Sequence, residues 1–164
     1  MLTRAGTWRG VRGMAAIAVF VVPFGLGFGA AAITHGMTPA QAVWMSATVF
    51  AGASQFAVLD LWSETLPLLS IAALALAVNA RLIILGAALS PWVNRLPVRH
   101  RIAAMLPMTD ANYADAMAAY REGERDVGRL LGGGIVLWFA WMLGSVIGAY
   151  GGASIGPLDA LGID

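Results

Sequence analysis

Three polar clusters interrupt an otherwise apolar chain, and each could do chemistry. The first is Gly52-Ala53-Ser54-Gln55, in the middle of ATVFAGASQFAVLDL, residues 47–61. Hydrocarbon offers such groups no hydrogen-bond partner. One reading is packing, in which small residues let helices approach and Ser or Gln bonds across the interface. The other is an unwound turn whose freed amides and carbonyls, with Gly52, Ser54 and Gln55, hold a zwitterionic ligand.

The second cluster is Asn79 and Arg81, within LALAVNARLIILGAAL. An intramembrane Arg costs about 2.5–3.5 kcal/mol on insertion scales, so it calls for a reason. Arg81 either snorkels toward an interface near Gly86, roughly 7 Å away, or meets a substrate carboxylate or a counter-ion. Residues two apart point about 200° apart, so Asn79 and Arg81 share a site only if the helix breaks. The third cluster is Thr109-Asp110, just after Pro107. Asp110 is either a helix N-cap or a titrating carboxylate that pairs with Arg81.

Other chemistries find little support. The chain has no cysteine, which removes disulfides, thiolate catalysis and Cys-based metal sites. A nucleophilic Ser54 needs a base within reach, and the only histidines, His35 and His100, fall in loops. GASQF is not G-x-S-x-G. No phosphate loop, dinucleotide fingerprint or metal-ligand cluster is present. The expectation is a protein that is not an enzyme, with no cofactor, no metal and no nucleic-acid partner.

The elements that position these clusters follow from composition. The 164 residues are 59% hydrophobic and 12% charged, against about a quarter charged in a soluble domain. Mean hydropathy is +0.76. This predicts an all-α, polytopic integral membrane bundle forming a single domain over residues 1–164. Apolar runs cover about 14–33, 40–61, 66–89 and 130–150, with a weak one at 102–120. The arginines ahead of the first run place the N-terminus in the cytoplasm. A cleaved signal peptide is the alternative for that run. In it, Pro23 with Gly25 and Gly29 marks a helix break, and Gly25-xxx-Gly29 a close-packing face like that of Gly144-xxx-Gly148 in the last run. Thr109 or Asp110 starts a helix with Tyr113, Met117 and Tyr120 on one face. REGERDVGR reads as a solvated connector, and the tail from Gly151, GGASIGPLDALGID, as a loop on the outer side.

Loop charges raise a conflict. SPWVNRLPVRHR is basic and hence cytoplasmic. THGMTPAQ and DLWSET, at the two ends of the run 40–61, both lack Lys and Arg. Both look extracytoplasmic, whereas an ordinary span separates its ends. The run is therefore expected to be discontinuous or re-entrant, turning at Gly52–Gln55.

The strings PFGLGFGAAAITHGMTPAQAVWMSATVFAGASQFAVLDL, VNARLIILGAALSPW and MLPMTDANYA resemble, in order and spacing, the AzlC family. These are the larger subunits of branched-chain amino acid exporters. The resemblance implies a bacterial inner-membrane secondary transporter that works with a small hydrophobic AzlD-type subunit in the lipid bilayer. It implies export of leucine, isoleucine, valine and methionine, driven by protons. Family members are usually longer, and they commonly carry an acidic pair where Asp110 is followed by Ala111 here. A passive channel or a non-transporting assembly subunit is the alternative, and a homo-oligomer is compatible with either.

Overall fold

The computed structural model describes residues 1–62 and 65–155; the DLWSET residues Ser63 and Glu64 and the tail beyond residue 155 lie outside it. All regular structure among the described residues is helical: α1 Arg4–Thr34, α2 Pro39–Val49, α3 Gly52–Leu59, α4 Leu68–Val93, α5 Val98–Met105, α6 Asp110–Arg121 and α7 Gly128–Ile155. Three of these, α1, α4 and α7, are long and apolar enough to cross a membrane. At 1.5 Å per residue, the 31 residues of α1 reach about 46 Å, well beyond the roughly 30 Å hydrocarbon core.

α1 begins ten residues before the apolar run it was expected to follow. Thr3 explains the early start, because its Oγ1 accepts the Gly6 amide and occupies one first-turn donor. Pro23 lies inside α1 without ending it, so the expected break is not there. Gly25 and Gly29 instead allow close packing. A Cβ on Gly25 would lie 2.6 Å from the Trp141 carbonyl of α7, and one on Gly29 would strike that of Ser145. α7 also runs to Ile155, through the first residues of the expected tail loop.

The chain divides into two compact units, each assembled from separate segments. The first joins Met1–Val19 to Asn79–Phe139; the second joins Phe20–Val78 to the chain from Ala140 onward. Each contains one broken helical hairpin.

In the second unit the hairpin is α2–α3. Thr38 and Gln41 start it with a reciprocal capping box: the Thr38 amide donates to Gln41 Oε1 (2.7 Å), and the Gln41 amide to Thr38 Oγ1 (3.3 Å). Phe50 ends α2 in the left-handed region (φ 40°, ψ 49°). A non-glycine residue there costs about 1–3 kcal/mol. The hairpin then turns back: His35 Nε2, before α2, lies 3.7 Å from Asp60 Oδ1, after α3. Ends that meet belong to a run that returns, which is how both flanking loops can lack arginine. The break sits at Phe50–Ala51, two residues before the expected turn, and Gly52–Gln55 form the first turn of α3. Phe28, Ala32, Met37, Ala42, Leu59 and Trp141 make the buried core.

In the first unit the hairpin is α5–α6, and the weak run 102–120 is therefore two helices. Pro107, which has no amide to continue a helical ladder, lies in the break. This hairpin also returns. Trp92, ahead of α5, stacks on Tyr120 at the end of α6 (5.0 Å between centroids) and donates through Nε1 to the Arg125 carbonyl (3.1 Å). Its core includes Leu89, Trp92, Val93, Ala104, Val127 and Leu130.

Candidate functional site

Buried polar side chains of the second unit converge on its hairpin break. Gln55, one turn into α3, is fully buried, as are Ser46 on α2 and Ser145 on α7. Gln55 Nε2 donates to Ser46 Oγ (3.2 Å), and Ser46 Oγ donates to Ser145 Oγ (2.8 Å). Gln55 Oε1 has no hydrogen-bond partner in the protein. With the one Ser46 O–H given to Ser145, the Gln55 atom facing Ser46 must be its donor Nε2, which leaves Oε1 as the orphan.

A second orphan belongs to the same cluster. Trp141 stands one turn before Ser145 on α7, is 6% exposed, and its Nε1–H has no acceptor. Its ring stacks on Phe28 (5.9 Å) and meets the edge of Phe56 (6.4 Å). Gly52, nearly one turn before Gln55, lies against it: a Cβ there would sit 2.8 Å from Trp141 Cη2. Backbone polarity adds to these groups. No side chain caps the N-terminus of α3, and its first-turn amides have no acceptors within the helix. The break thus sets the positive end of α3 beside the negative end of α2, as a zwitterion requires.

Of the residues singled out in the sequence, Gly52, Ser54 and Gln55 meet here. Ser54 is buried and its Oγ donates to the Ala51 carbonyl (2.9 Å). Asn79 and Arg81 belong to the first unit, so the five residues expected to bind substrate fall in two units. α4 is unbroken from Leu68 to Val93, so Asn79 and Arg81 point apart. Arg81 Nη2 pairs with Asp110 Oδ2 at 3.0 Å, and both side chains are 53% exposed. Asp110 is the first residue of α6 and not its cap. That role is Thr109's, whose amide and hydroxyl both donate to Asn112 Oδ1 (2.6 and 3.1 Å).

The remaining polar groups of the first unit are well matched. Asn112, 1% exposed, donates to the carbonyls of Pro107 (3.2 Å) and Leu130 (2.9 Å). Arg129 grips Asp115 with two bonds, Nε to Oδ2 at 2.8 Å and Nη2 to Oδ1 at 2.7 Å. The connector read as a solvated face holds buried Asp126, which accepts from the Thr3 amide (3.0 Å), the Thr3 hydroxyl and the Gly128 amide (2.9 Å). Burial pushes the Asp126 carboxyl up, but these bonds and the nearby Arg9 charge outweigh it and hold it below the ordinary range. The Asp126 amide likewise lowers Glu124, which pairs with Arg9 at 2.9 Å.

Comparison with known proteins gives the chain's relatives. The family model described as "AzlC protein" matches residues 16–155. The chain is 28% identical over 142 residues to "Inner membrane protein YgaZ" of Escherichia coli (strain K12), covering 85% of this chain and 58% of that protein. It is 30% identical over 139 residues to an "Uncharacterized membrane protein" of Archaeoglobus fulgidus, covering 85% of this chain and 59% of that protein. The chain thus spans less than two thirds of the length of these curated relatives. No solved structure matches it.

Proposed function

The chain belongs to the AzlC family of helical membrane proteins, and on that premise we propose that it is a subunit of a secondary exporter of branched-chain amino acids. The observation that carries the proposal is the buried Gln55–Ser46–Ser145 chain at a broken, returning hairpin. Irregular backbone at membrane depth persists where protein satisfies it or where it lines a cavity. This break, with polar atoms the protein leaves unsatisfied, fits the second case, and opposed half-helix ends suit a zwitterion. Leucine, isoleucine, valine and methionine share that zwitterion and add an aliphatic chain for the apolar and aromatic residues around it. The reading is of a transporter, in which Ser54 serves the first turn of α3 by donating to the Ala51 carbonyl.

Coupling to protons is assigned to Asp110, held by Arg81. A half-exposed ion pair midway along an apolar helix is costly against lipid, so water or protein faces it. None of the residues in the apolar window of α4 is buried, which leaves a long face for a small AzlD-type subunit or a second copy of the chain. Orientation in the bacterial inner membrane follows from charge. Arg4, Arg9 and Arg12, with the other seven arginines between Arg81 and Arg129, all belong to the first unit, whose loops and N-terminus are assigned to the cytoplasm.

The test is efflux. Cells expressing the chain with an AzlD-type partner are loaded with dipeptides, and intracellular leucine, valine and methionine are followed. Uphill efflux that collapses with a protonophore is expected. Amino acid levels no different from those of empty cells would overturn the proposal.

A further inference from the structure

The two orphaned atoms of the second unit have opposite character, and their pairing specifies a ligand more closely than the hairpin alone does. We infer that Trp141 Nε1–H receives the carboxylate of the transported amino acid and Gln55 Oε1 its ammonium. The inference rests on the exporter reading and names the two groups that would hold the substrate.

Buried polar groups in folded proteins nearly all have partners, and each one left without costs about 1–3 kcal/mol. Among the described residues two side-chain atoms are buried without a partner, and both lie in this cluster. One is an acceptor and the other a donor. Packing gains nothing from either, because a leucine at position 55 or a phenylalanine at 141 would fill apolar space without the penalty. A ligand that satisfies both must present a donor and an acceptor, as an α-amino acid does.

The surroundings agree on which end goes where. Gly52, at the positive end of α3, lies against the six-membered ring of Trp141. The indole is thus on the same side of the break as that helix end, which favours an anion over a cation there. Gln55 is nearly a turn further on and is held in place from behind by Ser46 and Ser145. Phe28 and Phe56 flank Trp141 and offer an apolar surface to an aliphatic side chain. Phe56 is 39% exposed whereas Phe28 is fully buried, so this apolar surface reaches the outside of the unit at Phe56.

The test uses leucine and two truncated analogues, isoamylamine (no carboxylate) and 4-methylpentanoate (no ammonium), binding to purified protein. In the wild type, leucine is expected to bind at least about tenfold more tightly than either analogue, since each loses one charged hydrogen bond. Trp141→Phe should weaken leucine about tenfold and leave isoamylamine unchanged. Gln55→Leu should weaken leucine similarly and leave 4-methylpentanoate unchanged. Replacing Trp141 with a benzothienyl analogue, which deletes only the N–H, should reproduce Trp141→Phe and removes loss of ring volume as an explanation. If the wild type binds leucine but the variants weaken all three ligands alike, or none, the assignment of the two groups is overturned and the exporter reading stands. A wild type that binds no leucine overturns both.

Discussion

The two units solve the same structural problem in opposite ways. Each holds a short hairpin broken near its middle, and each break frees backbone groups that need partners. In the first unit the break is closed by protein: Asn112 accepts from Thr109 and donates to two carbonyls, while Asp115 and Asp126 are matched by Arg129 and Thr3. In the second, the break carries left-handed Phe50, an uncapped α3 and two buried polar atoms with no partner. On the proposed reading, a satisfied break is architecture and an unsatisfied one takes its partners from a ligand. The comparison turns that reading into a difference between two sets of polar residues that substitution can test.

Substitutions can break the comparison directly. The largest loss of stability is expected from Asn112→Ala, which removes a cap and leaves carbonyls of Pro107 and Leu130 short of a donor. It should cost about 2–3 kcal/mol, read as a lower denaturant midpoint in detergent or a smaller monodisperse fraction. A cost below about 0.5 kcal/mol would remove the distinction between the hairpins.

Next comes the α1–α7 contact. Gly29→Ala places a methyl against the Ser145 carbonyl and should destabilise by about 1–3 kcal/mol. Gly27→Ala, two residues away with no atom within 4 Å of the added carbon, should stabilise by up to about 1 kcal/mol through helix propensity. Equal effects in thermal unfolding would show that this packing does not depend on close backbone approach.

A smaller effect is expected at the half-exposed pair. Arg81→Ala or Asp110→Ala alone strands a charge, so the double variant should be better folded than either single one. Strictly additive losses in a double-mutant cycle would show that the pair is not coupled in the membrane.

The smallest effect is one of pH. Asp126 has a lowered pKa in the folded state, so its contribution is present above the unfolded value near 3.8 and is lost as pH falls through the folded value. Unfolding midpoints measured from about pH 5 downward should fall, and Asp126→Asn should flatten that fall. An unchanged slope in the variant would assign the acid sensitivity elsewhere.

Much of the fold was legible in the sequence, and its gaps have physical causes. Long apolar runs declared α1, α4 and α7, because hydropathy and length suffice for helices facing lipid. The polar dip and the arginine-free loops foretold a returning element at 40–61. Its turn was misplaced because the left-handed residue is a phenylalanine, which no turn preference marks. Pro23 looked like a break but α1 tolerates it. The candidate site was legible only in part. Gln55 stood out as polar in an apolar run, but Ser46, Trp141 and Ser145 are ordinary members of membrane helices. Their roles come from contacts spanning up to 99 residues, which local pattern does not carry. Asp126 shows the converse: charged neighbours suggested a solvated loop, and only the returning N-terminus, bringing Thr3, buries it.

The most direct test of the central claim is Gln55→Leu, scored for folding and transport together. Leucine fills the same buried space and removes a polar group that the protein leaves half satisfied. The account predicts a denaturant midpoint equal to or above the wild type's, at matched membrane levels, with leucine efflux above that of empty cells reduced about tenfold at subsaturating leucine. Efflux at the wild-type rate would return this network to packing, and a stability loss as large as that of Asn112→Ala would show that the second hairpin is architecture like the first.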